Sequence, residues 1–263
     1  MQREVTLERS SLCYTRDPAD PRPPILCLHG LNLRKEIFLT RRMRRLLREY
    51  SPILIDLCGY GRSRAGDPFT MERFDALLQA LMAQEGLKHA ALCGYCLGGV
   101  FALDYAIRHP EQADRVILLE TMTHLPRWMW VTSLPGYAAG YDLFQRQTAV
   151  LRLLGQVPAF AHMDDPQRIA LSDSRWKTEI NTRYLALMER YQHRDHLRRS
   201  LVLNCPVDLY YSDRSFDAVR RTAREFSANP AVRLHRVPGG HFLYLDENHR
   251  NTQLLPKLFG ENA

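Results

Sequence analysis

The stretch Ala91-Leu92-Cys93-Gly94-Tyr95-Cys96-Leu97-Gly98-Gly99 constrains the fold more than any other part of the chain. The short apolar run Ala90–Cys93 reads as a buried strand, and Leu97–Arg108 reads as a helix that stops before Pro110. Cys96 lies at the junction, with Gly94 two residues before it and Gly98 two residues after. A bend this sharp brings the strand and helix backbones close together, so bulky side chains at the two glycine positions would clash. The pattern predicts a strand that turns directly into a helix and presents one cysteine at the turn.

The same strand–helix alternation recurs along the chain. Arg3–Tyr14 partly alternates apolar and polar residues and reads as the first strands, and the proline-rich Asp17–Pro24 reads as a connection. Ile25–Leu28, Pro52–Leu57 and Arg115–Glu120 read as further buried strands, with an amphipathic helix at Phe69–Gln84. Thr121–Ser200 has no clear strand but holds helical stretches, after which Val207–Tyr211, a helix around Asp217–Phe226, and Val232–Val237 resume the pattern. A last helix is expected after His241. The predicted class is α/β, a mostly parallel sheet covered by helices on both faces. The expected division is a core over residues 1–120, a helical cap over 121–200, and the rest of the core over 201–263.

A chain of 263 residues suits one domain with an insertion, and its 45% hydrophobic content suffices for a full core. No run approaches the roughly 18 apolar residues of a membrane span, so no stable membrane insertion is expected. The opening MQREVTLERSSLCYTRD lacks the apolar centre of a secretory signal, and a cytoplasmic location is expected. The six cysteines are then expected as reduced thiols.

The formal net charge is +7, much of it from RKEIFLTRRMRRLLREY. A single helix here would place Leu39, Met43, Leu46, Leu47 and Tyr50 on one face and Arg41, Arg44, Arg45 and Arg48 on the other. That face is either simply solvated or a dock for an anion such as an acidic acyl carrier protein or coenzyme A. Nucleic acid is not expected, because no binding motif or interleaved aromatic residues accompany the charge.

A cysteine at a helix start has its thiolate favoured by the helix dipole, which suits it for nucleophilic attack. Two other readings exist. Cys93-Gly94-Tyr95-Cys96 is also a C-x-x-C spacing, but a redox pair places its first cysteine at the helix start, and here Cys93 falls in the strand. The bend could also persist as a structural element in a protein without catalysis.

With these residues in view, the chain resembles the α/β-hydrolase superfamily over nearly its whole length. The resemblance rests on His29-Gly30, the Asp56–Ser63 D-x-x-G-Y-G-x-S string, the Gly94–Gly98 elbow and Gly239-Gly240-His241-Phe242, in that order. Most members carry serine where this chain has Cys96. In that respect it is similar to dienelactone hydrolases and to polyhydroxyalkanoate synthases, although it is short for a synthase. The resemblance implies Cys96 as nucleophile, His241 as base, and an acid between them in the chain. Asp213, at the end of the Val207–Tyr211 strand, is the first choice, with Glu120 and Asp217 as alternatives. It also implies an oxyanion hole from the backbone N–H groups of Leu31 and Leu97, where Asn32 is either an added side-chain contact or a loop residue. Among the other histidines, His89 and His109 lie near helix ends and His249 in the final helix, without the expected order and turn.

A thiolate nucleophile suits acyl transfer, and a thioester intermediate keeps the acyl group activated. The expected activity is an acyltransferase or thioesterase acting on an acyl thioester. An ester or lactone hydrolase and a non-catalytic ligand receptor are the alternatives. Trp128 and Trp130 of the aromatic-rich segment, with Tyr95 beside the bend, are expected to line an acyl pocket. The other reading of that segment is the insertion's own core. No metal and no organic cofactor is expected.

Overall fold

A computed structural model describes residues 1–145, 147–161, 177–193, 203 and 205–245. Its centre is an eight-stranded sheet in the order β1-β2-β4-β3-β5-β6-β7-β8. β1 (Gln2–Leu7) and β2 (Ser10–Thr15) form an antiparallel hairpin at one edge, and β2 also pairs antiparallel with β4 (Ser51–Ile55). β3 (Pro24–Leu28), β4, β5 (Ala90–Tyr95), β6 (Ala113–Leu119), β7 (Val207–Ser212) and β8 (Val232–Val237) all run parallel. The central strands are apolar on both sides because each face is covered. Leu26, Leu28, Leu92, Val116 and Leu118 belong to one core, and Ile25, Cys27, Ala91, Cys93 and Ile117 to the other.

The helices α2 (Met71–Gln84), α3 (Leu97–Arg108) and α7 (Asp217–Phe226) connect or flank the parallel strands. Thr70 caps α2 by accepting from the Arg73 N–H at 3.2 Å, as short hydroxyl residues do at N-termini. The predicted bounds of α3, α7 and β8 agree with those observed.

The basic run differs from the expected single helix. It forms a 3₁₀ turn at Lys35–Leu39 and a separate six-residue helix, α1 (Arg41–Leu46). Thr40 divides them, because its extended backbone ends the turn while its hydroxyl accepts the Met43 N–H. Leu39 is consequently exposed, while Arg42 turns inward and is buried. Lys35 is buried as well, with its Nζ 2.6 Å from Asp56 Oδ2 and its backbone N–H on Asp56 Oδ1.

Between β6 and β7 the described residues hold helices and 3₁₀ turns only. α4 (Tyr137–Gln145), α5 (Thr148–Gly155) and α6 (Thr178–His193) lie there, with 3₁₀ turns at Arg127–Ser133 and Pro158–Phe160. α6 packs on the 127–133 turn and anchors to the core through Tyr184, which stacks on Tyr60 and donates to the Cys58 carbonyl at 2.8 Å. The helix expected after His241, with His249 in it, lies outside the described residues apart from a 3₁₀ turn at Leu243–Leu245. All six cysteines are free and buried. No helix among the described residues is long and apolar enough to cross a membrane.

Candidate active site

The parallel strands deliver their following loops to one edge of the sheet, where α/β folds place their sites. Three residues after such strands hold left-handed backbone although none is glycine: Asn32 (φ 55°), Cys96 (φ 53°) and Glu120 (φ 51°). Such conformations are costly for residues with a Cβ and persist only where the surroundings enforce them.

For Cys96 the enforcement is visible. Its N–H donates to the Leu119 carbonyl at 2.8 Å, which ties the bend to the next strand. A Cβ on Gly94 would lie 2.3 Å from the Gly99 Cα, and one on Gly98 would lie 2.0 Å from the Leu28 carbonyl oxygen. Both contacts are with backbone, so neither position accepts a side chain. Cys96 itself is 6% exposed.

His241 stands on the loop after β8 and is 4% exposed. Its backbone is held from two sides, by its N–H on the Ala159 carbonyl at 3.2 Å and by the Tyr95 hydroxyl on its own carbonyl at 2.7 Å. The ring packs on Phe216 at 4.7 Å between centroids. Nδ1 faces Glu120 Oε2 and Ser215 Oγ, each at 3.3 Å. Burial pushes the imidazole toward neutrality, but the charge and hydrogen bonding of Cys96, followed by those of Glu120, outweigh it and raise its pKa to about 9. Cys96 and Glu120 thus both favour the protonated ring against the effect of burial.

Glu120 is fully buried, and its other oxygen accepts the Ser212 N–H at 2.6 Å. The first-choice acid, Asp213, is placed elsewhere. Its Oδ1 accepts the Gly239 N–H at 3.0 Å and its Oδ2 lies 3.9 Å from Arg236. The reason is local: the Asp213 N–H continues the β7–β8 pairing by donating to the Val237 carbonyl, which turns its carboxylate onto the loop backbone. Asp217 is exposed in the first turn of α7, 3.5 Å from Arg220. Glu120, the strand-end alternative, is the carboxylate that meets the ring.

The other histidines near predicted motifs have structural partners. His29 Nε2 accepts the Leu57 N–H at 3.0 Å, which joins the loop after β3 to that after β4. His89 pairs with Asp114 and His109 with Asp75.

Cys96 and His241 open onto a cavity of about 150 Å³. Met122, Trp128, Phe160 and Phe216 supply much of its wall, and no Asp, Glu, Lys or Arg borders it among the described residues. Trp128 remains 47% exposed while packing on Phe160 and Phe216. Trp130 is not in this wall. The 3₁₀ turn carries it to the surface, where it is 36% exposed. Tyr95 borders the cavity with its ring but commits its hydroxyl to the His241 backbone. A second, smaller cavity of about 20 Å³ is bordered by Leu31, Cys96, Leu97, Tyr184 and Met188 among others. The loop at Gly30 lies directly against the bend, since a Cβ there would be 3.1 Å from Cys96 Cβ.

Sequence reasoning did not find Ser215, Phe160 or Met122. Serine and apolar residues carry no signal until the chain has folded them against a histidine or a sulfur.

This sheet order, with an antiparallel leading hairpin and a strained strand-to-helix bend, defines an α/β protein of the hydrolase type. A profile of the alpha/beta hydrolase fold matches residues 23–248, and the chain belongs to that family. It is 32% identical over 183 residues to a pimeloyl-(acyl-carrier protein) methyl ester esterase of Aromatoleum aromaticum, covering 66% of each chain. It is 27% identical over 114 residues to the protein of that name from Nitrosospira multiformis, covering 41% of this chain and 43% of the relative. The chain thus spans less than two thirds of the length of these relatives. Among solved structures, the enol-lactonase of Burkholderia xenovorans superposes with a TM-score of 0.67 at 17% identity, over 91% of this chain and 92% of that one. At that identity the likeness concerns the fold.

Proposed function

We propose that this chain is an ester hydrolase with a cysteine nucleophile, in which Cys96, His241 and Glu120 act together on a neutral, apolar acyl ester. The observation that carries this reading is geometric: the buried His241 ring lies 3.3 Å from the buried Glu120 carboxylate and borders the same cavity as Cys96 at its strained bend. An imidazolium beside a cysteine stabilises the thiolate, which is the attacking species.

In the proposed reaction the Cys96 thiolate forms a bond to the ester carbonyl carbon, and the carbonyl π pair moves to oxygen. The backbone N–H groups of Leu31 and Leu97 receive that charge. Leu97 occupies the first turn of α3, where N–H groups have no acceptor within the helix. Collapse expels the alcohol oxygen, which takes the proton from His241, and leaves a thioester on Cys96. Water attacks that thioester as His241 takes its proton, and the acid departs with the thiolate regenerated. Glu120 holds the ring and stabilises its charged form.

Apart from the reacting Cys96 and His241, no Asp, Glu, Lys or Arg among the described residues borders the cavity, which favours an apolar acyl portion. The name of the Aromatoleum relative favours an ester, with the acyl chain attached to a carrier protein. Arg41 and Arg44 on α1, with Arg48 just beyond it, give an exposed basic side suited to an acidic carrier or to coenzyme A. The described residues between 121 and 161 serve as the part of the cap that contributes Trp128 and Phe160 to the wall.

Intact-mass measurement after mixing with p-nitrophenyl butyrate, butyryl-coenzyme A or a butyryl carrier protein tests the proposal. An acyl adduct on Cys96 from the ester, and release of free acid, are expected. Acylation by the thioesters alone, with transfer to an amine or alcohol, would replace hydrolysis by acyl transfer. Undiminished turnover by Cys96→Ala would end the cysteine proposal.

A further inference from the structure

Asn32 follows Leu31 in the loop that leaves β3. It is 3% exposed and holds left-handed backbone at φ 55°. Asparagine tolerates this conformation better than most residues with a Cβ. Neither its Nδ2 nor its Oδ1 meets a hydrogen-bonding partner among the described residues. Burying an amide in this way destabilises a fold, and native structures usually avoid it. Other buried polar atoms share this lack, among them those of Thr121, Ser212 and Tyr244, but none of these residues borders the cavity that holds Cys96 and His241. Asn32 does.

The surroundings specify what the amide meets. The loop is packed against Cys96 through Gly30. Met122, Phe160 and Phe216, which also border the cavity, offer no hydrogen-bond donor. An apolar acyl chain bound in such a cavity has one strong acceptor at this depth, the carbonyl oxygen of the group being attacked.

We propose that Asn32 is a catalytic residue whose side-chain Nδ2–H donates to the carbonyl oxygen of the ester, as a third donor beside the Leu31 and Leu97 N–H groups. This rests on Cys96 acting as the nucleophile. As the carbon–sulfur bond forms and the π pair moves to oxygen, the amide meets a growing negative charge and gives up no proton. When the tetrahedral species collapses, the pair returns and the leaving oxygen takes its proton from His241. The donor is already fixed in a dry site, so it stabilises the transition state more than the ground state. The cost of an unsatisfied amide in the free protein is the counterpart of that pre-organisation.

The test uses the full chain and p-nitrophenyl butyrate. Asn32→Gly accommodates the left-handed backbone and removes the amide. Asn32→Asp keeps the shape but replaces the donor with a carboxylate oxygen. For Asn32→Gly, kcat is expected to fall about 10- to 100-fold, with KM changed less than about threefold and the unfolding midpoint of the free protein unchanged or higher. Asn32→Asp is expected to lose at least as much. A kcat within about twofold of wild type for Asn32→Gly overturns the proposal, as does a loss confined to KM. A fall in kcat that comes with a lower unfolding midpoint for both variants makes the role structural and also overturns it. Intact mass separates this result from the parent reading: wild type without an acyl adduct on Cys96 removes the cysteine mechanism itself, whatever the Asn32 variants do.

Discussion

The Glu120 carboxylate reaches the His241 ring at 3.3 Å from a backbone that is itself strained, at φ 51°. The Ser212 N–H holds the other oxygen at 2.6 Å, so the carboxylate is aimed from both ends. A buried carboxylate in this position fixes the ring's orientation and favours its charged form.

Glu120→Gln keeps the size of the side chain and removes the charge. Its kcat/KM toward p-nitrophenyl butyrate is expected to fall by roughly 10²- to 10⁴-fold, in line with loss of the acid in other triads. Asp213→Asn, whose carboxylate meets Gly239 and not the ring, is expected to stay within about fivefold. Reversal of that order would return the acid role to Asp213.

The pH dependence of stability follows from His241. Its pKa rises from 6.5 to about 9 in the folded chain. A group raised in this way binds its proton more tightly when folded. Its contribution is fully present below about pH 6.5, the unfolded value, and is lost as pH climbs through about 9. Denaturant unfolding of wild type is expected to show this loss between pH 6.5 and 9, and His241→Gln is expected to show less of it. Alkylation of Cys96 by iodoacetamide at pH 7 should also be at least about tenfold slower in His241→Gln. Equal alkylation rates would mean that the ring does not support the thiolate.

Gly98→Ala would drive a Cβ to within 2.0 Å of the Leu28 carbonyl oxygen. Neither β3 nor α3 can retreat without breaking sheet or helix bonds. The variant is expected to lose more than about 2 kcal/mol in equilibrium unfolding, or to fail to fold. Gly140→Ala, where a Cβ meets nothing within 4 Å, serves as the control and should be neutral or stabilising.

The two tryptophans separate cavity wall from surface. Trp128→Ala opens the wall shared with Phe160 and Phe216, and is expected to raise KM for octanoyl and longer p-nitrophenyl esters more than for acetyl. Trp130→Ala should leave the chain-length profile unchanged. Equal effects of the two would show that Trp130 also meets the acyl chain.

Much of the fold was legible because periodicity is a local property. Leu97–Arg108, Asp217–Phe226 and Val232–Val237 needed only their own residues to be assigned. The basic run was not, because its division depends on Thr40, whose hydroxyl caps α1 and also donates to the Tyr244 carbonyl at 3.1 Å, 204 residues away. Of the candidate site, Cys96 could be singled out from glycine spacing, since a bend dictates nearby residue types, whereas His241 was implied by the family resemblance and its order of motifs.

Which carboxylate meets His241 was open from the sequence, where Asp213 and Glu120 both end apolar strands. The choice depends on where the loop after β8 lays the ring, and on the backbone N–H that claims each carboxylate first: Gly239 for Asp213, Ser212 for Glu120. Residue type and spacing along the chain determined the bend, the strands and the place of Cys96 at the turn. The partner of the ring, the apolar wall and the unsatisfied amide of Asn32 were decided by tertiary packing, because each is a relation between segments that meet only when the sheet has formed.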